Sequence, residues 1–125
     1  MKTVVNTKMA PGAIGPYSQA IKAGGFLFIS GQIPVNPASN NVVEGGIEAQ
    51  TIMVLENIKA ILADQGLIMD NVVKTTVFLT DLNDFQVMNG VYADYFKGET
   101  PARATIQVSG LPKEVMVEID AIAVM

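Results

Sequence analysis

A stripe of apolar side chains at helical spacing runs through the segment from Ile47 to Gln65 and limits how the chain can fold. Its members are Ile47, Thr51, Val54, Leu55, Ile58, Ile61 and Leu62. Residues spaced three and four apart share one face of an α-helix, so the segment predicts a helix that buries one face in a core. Gly66 follows directly and is typical of a helix end. Nothing in the stripe indicates a cofactor site.

Strand patterns precede and follow this helix. Gly24-Gly25 is typical of a hairpin turn, and the run Phe26–Ile29 has no polar face, which predicts a strand buried on both sides. The β-branched run Val72–Leu79 predicts a further strand. The polar segment Thr80–Asp84 then supplies capping residues for a second helix, from about Phe85 to Phe96. The expected buried side of that helix is Phe85, Met88, Tyr92 and Tyr95 or Phe96.

The last part of the chain is typical of two strands around a turn. Ala102–Val108 alternates small or apolar with polar residues, and Val115–Val124 is mostly apolar and β-branched, with Ser109–Pro112 as a turn between them. In a hairpin symmetric about this turn, Arg103 would lie opposite Glu118, with Cβ atoms about 5 Å apart on one face. A slip of one residue would place them on opposite faces, so the sequence leaves the register open.

The resulting order of elements is ββ–α–β–α–ββ. Two helices of the predicted lengths cannot cover both faces of such a sheet, so we expect them on one face of an α+β layer sandwich. The other face would carry apolar residues that need a cover, and self-association is the simplest one. The 125 residues suit one domain spanning the whole chain, residues 1–125.

Arg103 is the only arginine in the chain, and it admits two interpretations. With Glu118 it forms either a structural ion pair or a binding site. Arginine grips a carboxylate through two parallel hydrogen bonds. Glu118 follows Met116-Val117 and precedes Ile119. Aliphatic neighbours remove water from a carboxylate and raise its pKa into the range useful for proton transfer. The residues alone favour neither interpretation.

Three other places carry polar residues in unusual positions. Tyr17 emerges from a Gly-Pro turn, where it either caps the core or reaches a ligand. Ser30-Gly31 interrupts a strand pattern, which indicates a plain bulge or a close approach of a ligand to the backbone. Asn89-Gly90 lies inside the second helix, where both residues lower stability, so a close neighbour or a ligand is expected there. The segment Pro34–Gly46 has the composition of a loop.

Composition excludes several classes of function. The chain has no cysteine and no histidine, which excludes disulfides, thiol nucleophiles and the commonest metal ligand and general base. No cluster of oxygen ligands replaces them, so we expect neither a metal nor a cofactor. The net charge of −4, with only eight scattered basic residues, argues against nucleic-acid binding. No apolar run reaches a membrane span and the start lacks the apolar region of a signal peptide, so a cytoplasmic location is expected.

Five strings occur together at characteristic spacing, namely AIGPYSQA, ISGQIPVNP, VVKTTVFLTDLNDFQVMN, YFKGETPARA and LPKEVMVEIDAIAV. Together they resemble the RidA/YjgF family of reactive enamine/imine deaminases, over essentially the whole chain. The resemblance implies a chorismate-mutase-like α+β fold with a mixed sheet, and a homotrimer with ligand clefts between subunits. It also implies hydrolysis of 2-aminoacrylate and related 2-imino acids (2-iminopropanoate, 2-iminobutanoate) to 2-keto acids and ammonia. Pyridoxal-phosphate enzymes such as threonine and serine dehydratases release those unstable compounds.

The resemblance also implies roles for individual residues. Arg103 would bind the substrate carboxylate, and Glu118, with the Tyr17 hydroxyl, would place or activate water. The other positions that would line the cleft are Tyr17, Ser30, Gly31 and Asn89. Thr105 stands where many members carry a cysteine, which removes any role for a thiol, although its backbone N–H could still meet the substrate.

The chemistry needs no more than these residues. A protonated imine carbon is already electrophilic, so no nucleophilic side chain is required. Because free imines hydrolyse unaided, lowering the barrier by ~3 kcal/mol already accelerates the reaction more than a hundredfold.

The main alternative is a non-catalytic protein that binds or senses a small carboxylic acid such as a keto acid. A ribonuclease or translation inhibitor is less favoured by the acidic balance and the missing histidine.

Overall fold

The computed structural model describes residues 1–125 and contains a six-stranded mixed sheet with two helices packed on one face. The α-helices are α1 (Ile47–Asp64) and α2 (Phe85–Tyr95). The strands are β1 (Thr3–Val5), β2 (Ala20–Ala23), β3 (Phe26–Gln32), β4 (Val35–Asn36), β5 (Asn41–Val42), β6 (Val72–Leu79), β7 (Ala102–Gln107) and β8 (Val117–Val124). The predicted α+β class, with both helices on one face, is therefore confirmed.

The strand order in the large sheet is β1-β2-β3-β8-β6-β7. β7 pairs with β6 in parallel and forms one edge, whereas β8 pairs with both β3 and β6 and lies inside the sheet. The predicted hairpin between the last two strands is therefore wrong, because β6 lies between them. β4 and β5 form a separate two-stranded ribbon within 34–46, so that segment is more than the plain loop its composition indicated.

The turn between β2 and β3 follows the sequence prediction. Gly24 and Gly25 both have positive φ, at 58° and 81°. A two-residue turn with positive φ at both positions matches the twist of antiparallel strands, and glycine adopts it without strain. This hairpin sets the register in which Phe28 faces Ile21 of the neighbouring strand.

The core lies between the helices and the sheet, in a cluster of 22 buried residues. All seven residues of the predicted α1 stripe are buried. Two polar residues of the same helix are buried as well and tie loops to it. Gln50 Oε1 accepts a hydrogen bond from Met116 N at 2.8 Å, and Asn57 Nδ2 donates one to Val35 O at 3.0 Å.

The second helix begins at Phe85, as the sequence predicts, after a short 3₁₀ turn at Leu82–Asp84. The Asp81 side chain accepts a hydrogen bond from Asn83 N at 2.9 Å and so stabilises the start of that turn. Met88, Tyr92 and Phe96 are buried, together with Val91. Neither helix of the protein combines the length and hydropathy that a membrane span requires.

The face of the sheet away from the helices, here called the open face, is apolar and uncovered in the single chain. One row across it contains Val4, Ile21, Phe28 and Ile122. Val4 is 60% exposed and Phe28 43%, while Leu27 and Ile29 on the other side of β3 are buried. The expectation that β3 is buried on both sides is therefore wrong for the isolated chain, because the helices cover only one side.

Candidate active site

The register of the sheet places Arg103 and Glu118 on opposite faces, which corrects the predicted pairing. Arg103 lies beside Thr75, and Thr75 lies beside Ala121. Thr75 is buried under the helices, so this row belongs to the helix-covered face. Glu118 is three residues before Ala121, and because successive side chains alternate between faces, it points to the open face. The two residues cannot form one site within one chain.

Glu118 shares a cavity of about 520 Å³ with three other residues that the sequence singled out, Tyr17, Ser30 and Gly31. The remaining residues of this Glu118 cavity are Ile14, Ile33, Pro112 and Lys113. This cavity thus brings together the turn before Tyr17, the bulge at Ser30-Gly31 and the central strand β8, which lie far apart in the sequence.

Gly31 is a bulge, as predicted, and it has a specific neighbour. The pairing of β3 with β8 shifts register between Ile29 and Gln32, around Gly31. A Cβ atom built on Gly31 would lie 2.9 Å from Glu118 Cδ, closer than real contacts allow. Because Gly31 has no side chain, the Glu118 carboxyl group can occupy the space beside it.

The environment of Glu118 favours its neutral form. Burial among its neighbours raises the pKa of the Glu118 carboxyl, and the negative charge of Asp120 on the same strand face raises it further. A carboxyl group whose pKa moves toward neutrality can both accept and return a proton at working pH. Glu118 is thus suited to acid–base chemistry, as the sequence interpretation required.

The other polar groups of the cavity are held by backbone contacts. Ser30 Oγ donates to Ser18 O at 2.6 Å, and Ser30 N donates to Gln19 O at 3.1 Å. The Ser30 hydroxyl oxygen keeps its lone pairs for another donor. The Tyr17 hydroxyl accepts a 3.4 Å hydrogen bond from Ile14 N, and the side chain is 53% exposed, so Tyr17 does not cap the core.

Gln19 anchors the loop beside this cavity, a role that the sequence did not indicate. Its side chain is only 3% exposed and bonds backbone groups of Thr7, Ala10 and Pro11. One amide side chain therefore fixes the path of the residues that lead to Tyr17. No periodic pattern or turn signal distinguishes such a glutamine from a solvated one.

Arg103 lies in a separate cleft of about 390 Å³, lined by Asn89, Tyr92, Ala93, Phe96, Thr100, Pro101 and Arg103. The guanidinium carbon is 4.7 Å from the centre of the Tyr92 ring and 5.6 Å from that of Phe85. Such stacking uses the faces of the guanidinium and leaves its in-plane N–H groups available for a carboxylate. Tyr92 was predicted only as a core residue, so its contact with Arg103 is an addition from the structure.

The Tyr92 hydroxyl is fixed in turn by Thr75, whose Oγ1 lies 2.7 Å away. Burial raises the pKa of Tyr92, while the Thr75 hydrogen bond and the charge of Arg103 oppose the rise. Tyr92 is therefore a neutral, oriented support under the arginine. We call the lining residues of this site the Arg103 cleft.

Two further predicted residues lie near Arg103 and carry unused polar atoms. Asn89 lines the Arg103 cleft, and its Oδ1 is buried without a hydrogen-bond partner. Thr105 follows Arg103 by two residues on the same strand face, and its Oγ1 is also buried without a partner. Thr105 lines a neighbouring cleft with Phe85 and Gln86 rather than the Arg103 cleft. Buried polar atoms without partners are costly, so both atoms are available to a water molecule, a ligand or a second chain.

The seven predicted site residues thus form two groups in one chain. Tyr17, Ser30, Gly31 and Glu118 lie together on the open face, whereas Arg103, Asn89 and Thr105 lie at the β7 edge on the helix side. No group of three or more acidic, histidine or cysteine side chains is arranged to hold a metal ion.

Comparison with known proteins identifies the family of this chain. The model of the family described as endoribonuclease L-PSP matches residues 7–125. The chain belongs to the RidA/YjgF family. A RutC family protein of Pyrococcus horikoshii is 58% identical over 123 residues, which cover 98% of each chain. A human 2-iminobutanoate/2-iminopropanoate deaminase is 47% identical over 124 residues, covering 99% of this chain and 90% of that protein.

This RidA/YjgF member also matches solved structures along its whole length. One of them is E. coli TdcF with bound serine, at a TM-score of 0.94 and 44% identity, covering 98% of each chain. Similarity at this level shows that the two chains share one fold over nearly their whole length.

Proposed function

We propose that this protein hydrolyses reactive 2-imino acids and their enamine tautomers to 2-keto acids and ammonia. The observation that carries the proposal is the meeting of Glu118, with its raised pKa, and the Tyr17 hydroxyl beside the Gly31 bulge. The name of the human relative, a 2-iminobutanoate/2-iminopropanoate deaminase, supports the same reaction.

The proposed site needs two copies of the chain. Arg103 and Glu118 lie on opposite faces of one sheet, so the Arg103 cleft of one copy would have to meet the Glu118 cavity of another. The apolar open face supplies a surface that association would bury. We propose a homotrimer, as the family resemblance implies, with the reaction in clefts between subunits.

In this arrangement Arg103 binds the substrate carboxylate, and Glu118 of the other copy lies beside the imine carbon. Water adds to the protonated imine carbon while the carboxylate form of Glu118 accepts one of its protons, which gives a carbinolamine. Glu118 returns that proton to the nitrogen, the C–N bond breaks and ammonia leaves, while the hydroxyl group gives its proton to Glu118 as the C=O bond of the keto acid forms. The Tyr17 and Ser30 hydroxyl groups are available to hold water or the developing hydroxyl group. No cofactor is needed for any of these steps.

The test is a coupled assay in which 2-aminoacrylate or 2-iminobutanoate is generated in situ by a dehydratase. Wild-type protein is expected to speed keto-acid release above the spontaneous rate. A rate equal to the spontaneous one would remove the catalytic proposal.

Binding without turnover is the second candidate. E. coli TdcF, a protein of the same fold, has been crystallised with bound serine, a small amino acid. A protein of this kind would bind 2-oxobutyrate calorimetrically and leave the coupled assay unchanged. Ribonuclease activity, suggested by the printed family description, is disfavoured by the net charge of −4.

A further inference from the structure

Lys113 is the only cationic side chain that lines the Glu118 cavity, and the proposed reaction does not use it. It borders that cavity together with Tyr17, Gly31 and Glu118, and it also borders the small adjoining cavity next to Asn40. No pattern in the sequence distinguishes it from a solvated lysine.

The backbone at Lys113 is strained. Lys113 and Glu114 both have a φ of 57°, in the left-handed region where side chains with a Cβ atom are disfavoured. Two consecutive residues of this kind persist only where the surroundings determine the conformation, and such places cluster at functional sites.

The surroundings of this segment do determine it. Pro112 precedes the pair, and Val115 after it is buried at 1% exposure. Met116 is tied on both sides, since its N–H donates to Gln50 Oε1 at 2.8 Å and its carbonyl accepts from Thr80 N at 3.2 Å. The segment from Pro112 to Met116, here called the 112–116 strap, is thus a fixed support that places Lys113 at the cavity wall.

In the single chain the cavity has a volume of about 520 Å³, within the range of ~300–1,000 Å³ of small-molecule sites, and the proposed second copy would share this space. Besides Glu118 and the Tyr17 and Ser30 hydroxyl groups, the walls are apolar at Ile14, Ile33 and Pro112, and Lys113 is the single positive group. A ligand that fills this space and ends in a negative group would meet Lys113.

We propose that Lys113 is a specificity-determining residue that favours 2-imino and 2-keto acids with a second carboxylate at the far end of the side chain. Arg103 of a second copy would hold the first carboxylate, and the Lys113 ammonium group would bind the distal one. This inference rests on the proposed two-copy site but does not depend on turnover, because keto acids can be tested by binding alone.

The experiment compares two keto acids of matched shape. 2-Oxoglutarate carries the distal carboxylate, and 5-methyl-2-oxohexanoate replaces its two oxygens by methyl groups. Wild-type protein is expected to bind the dicarboxylate at least about tenfold more tightly, as one charge-assisted hydrogen bond predicts. Lys113→Arg should keep the preference, and Lys113→Gly should abolish it.

Glu114→Gly is the matched control. Glycine adopts positive φ freely, so Lys113→Gly and Glu114→Gly relieve the same strain in the same strap, and only the first removes the cavity cation. Neither variant should melt below the wild type, and Glu114→Gly should keep its ligand preference. Equal loss of preference in both variants would assign the effect to the backbone and overturn the proposal.

The remaining outcomes separate this inference from the proposed function. Imine turnover by a wild type without preference for the dicarboxylate overturns the role of Lys113 alone. Preference for the dicarboxylate without imine turnover supports Lys113 and contradicts catalysis. Binding of neither keto acid overturns the role of Lys113, and the coupled assay then decides the proposed function by itself.

Discussion

At the scale of single residues, Arg103 combines a positive charge with a planar group stacked on aromatic rings. We expect Arg103→Ala to abolish imine hydrolysis and Arg103→Lys to restore it poorly, because lysine is a point charge without the two-point geometry for a carboxylate. Initial rates in the coupled assay measure this. Near-normal activity of Arg103→Lys would contradict the bidentate grip.

Glu118→Gln separates catalysis from binding. Glutamine keeps the shape of the side chain but exchanges no proton near neutral pH, so turnover should fall while calorimetric affinity for 2-oxobutyrate changes little. Unchanged turnover would remove the proton-transfer role.

The same variant has a defined effect on stability. The folded-state pKa of Glu118 is raised above its unfolded value, so the folded protein binds the proton more tightly. Its contribution to stability is therefore present at low pH and is lost as pH rises through the folded pKa. We expect Glu118→Gln to melt at the same or a higher temperature than the wild type at pH 8, with the gain absent at pH 4. A lower melting temperature at pH 8 would indicate a structural partner for the carboxylate.

Gly31→Ala tests the space under Glu118. The added Cβ would collide with the carboxyl group and displace it, which should reduce turnover up to about a hundredfold, the cost of misplacing a catalytic group by about 1 Å. Gly90→Ala is the control, since a Cβ at that position in α2 meets no atom within 4 Å. Gly90→Ala should keep full activity. Equal activity of the two variants would show that the Gly31 contact is unimportant.

At the scale of elements, loops depend on a few buried amide side chains. Gln19 makes four hydrogen bonds to the 7–11 loop, so Gln19→Leu should lower the free energy of unfolding by about 2–4 kcal/mol. Gln65→Leu should change it by less than about 0.5 kcal/mol, because Gln65 bonds only its neighbour Asp64. Denaturant unfolding of both variants measures the difference, and equal midpoints would contradict the anchoring role.

At the scale of elements, the sequence predicts correctly the features that depend on contacts between neighbouring residues. The α1 stripe and the Gly24-Gly25 turn were predicted correctly, because helical spacing and positive φ are properties of neighbouring residues. The pairing of Arg103 with Glu118 was wrong, because strands joined by a short connection need not be adjacent, and β6 supplies both of them with a partner. The register between strands that are far apart in the sequence cannot be predicted from the residues of either strand alone.

The same difference between local and non-local contacts applies to the site residues. Ser30-Gly31 was visible as an interrupted strand, and its bulge is confirmed. The role of Lys113 could not be predicted from the sequence. Its positive φ is imposed by the fixed ends of the 112–116 strap and not by the conformational preference of lysine. The support of Arg103 by Tyr92 was missed because a tyrosine on the buried side of a helix is most often core.

At the scale of the whole molecule, the proposed association through the open face can be tested by mass. We expect light scattering to give a mass three times that of the 13.3 kDa chain at micromolar concentration. Phe28→Asp should reduce this mass and abolish turnover together, because it places a charge in the apolar row. Ile52→Asp is the matched control on the helix side, with 40% exposure against 43% for Phe28. A trimeric Phe28→Asp variant would exclude the open face as the interface.

The position of β8 has a consequence for biosynthesis. It follows every other strand of the sheet in the sequence, yet it pairs with β3 and β6 in the interior of the sheet. A nascent chain that has not yet exposed β8 presents two long unpaired edges, which are sites of aggregation and of chaperone binding. We therefore expect a variant truncated before β8 to be degraded or to aggregate rather than to fold in part.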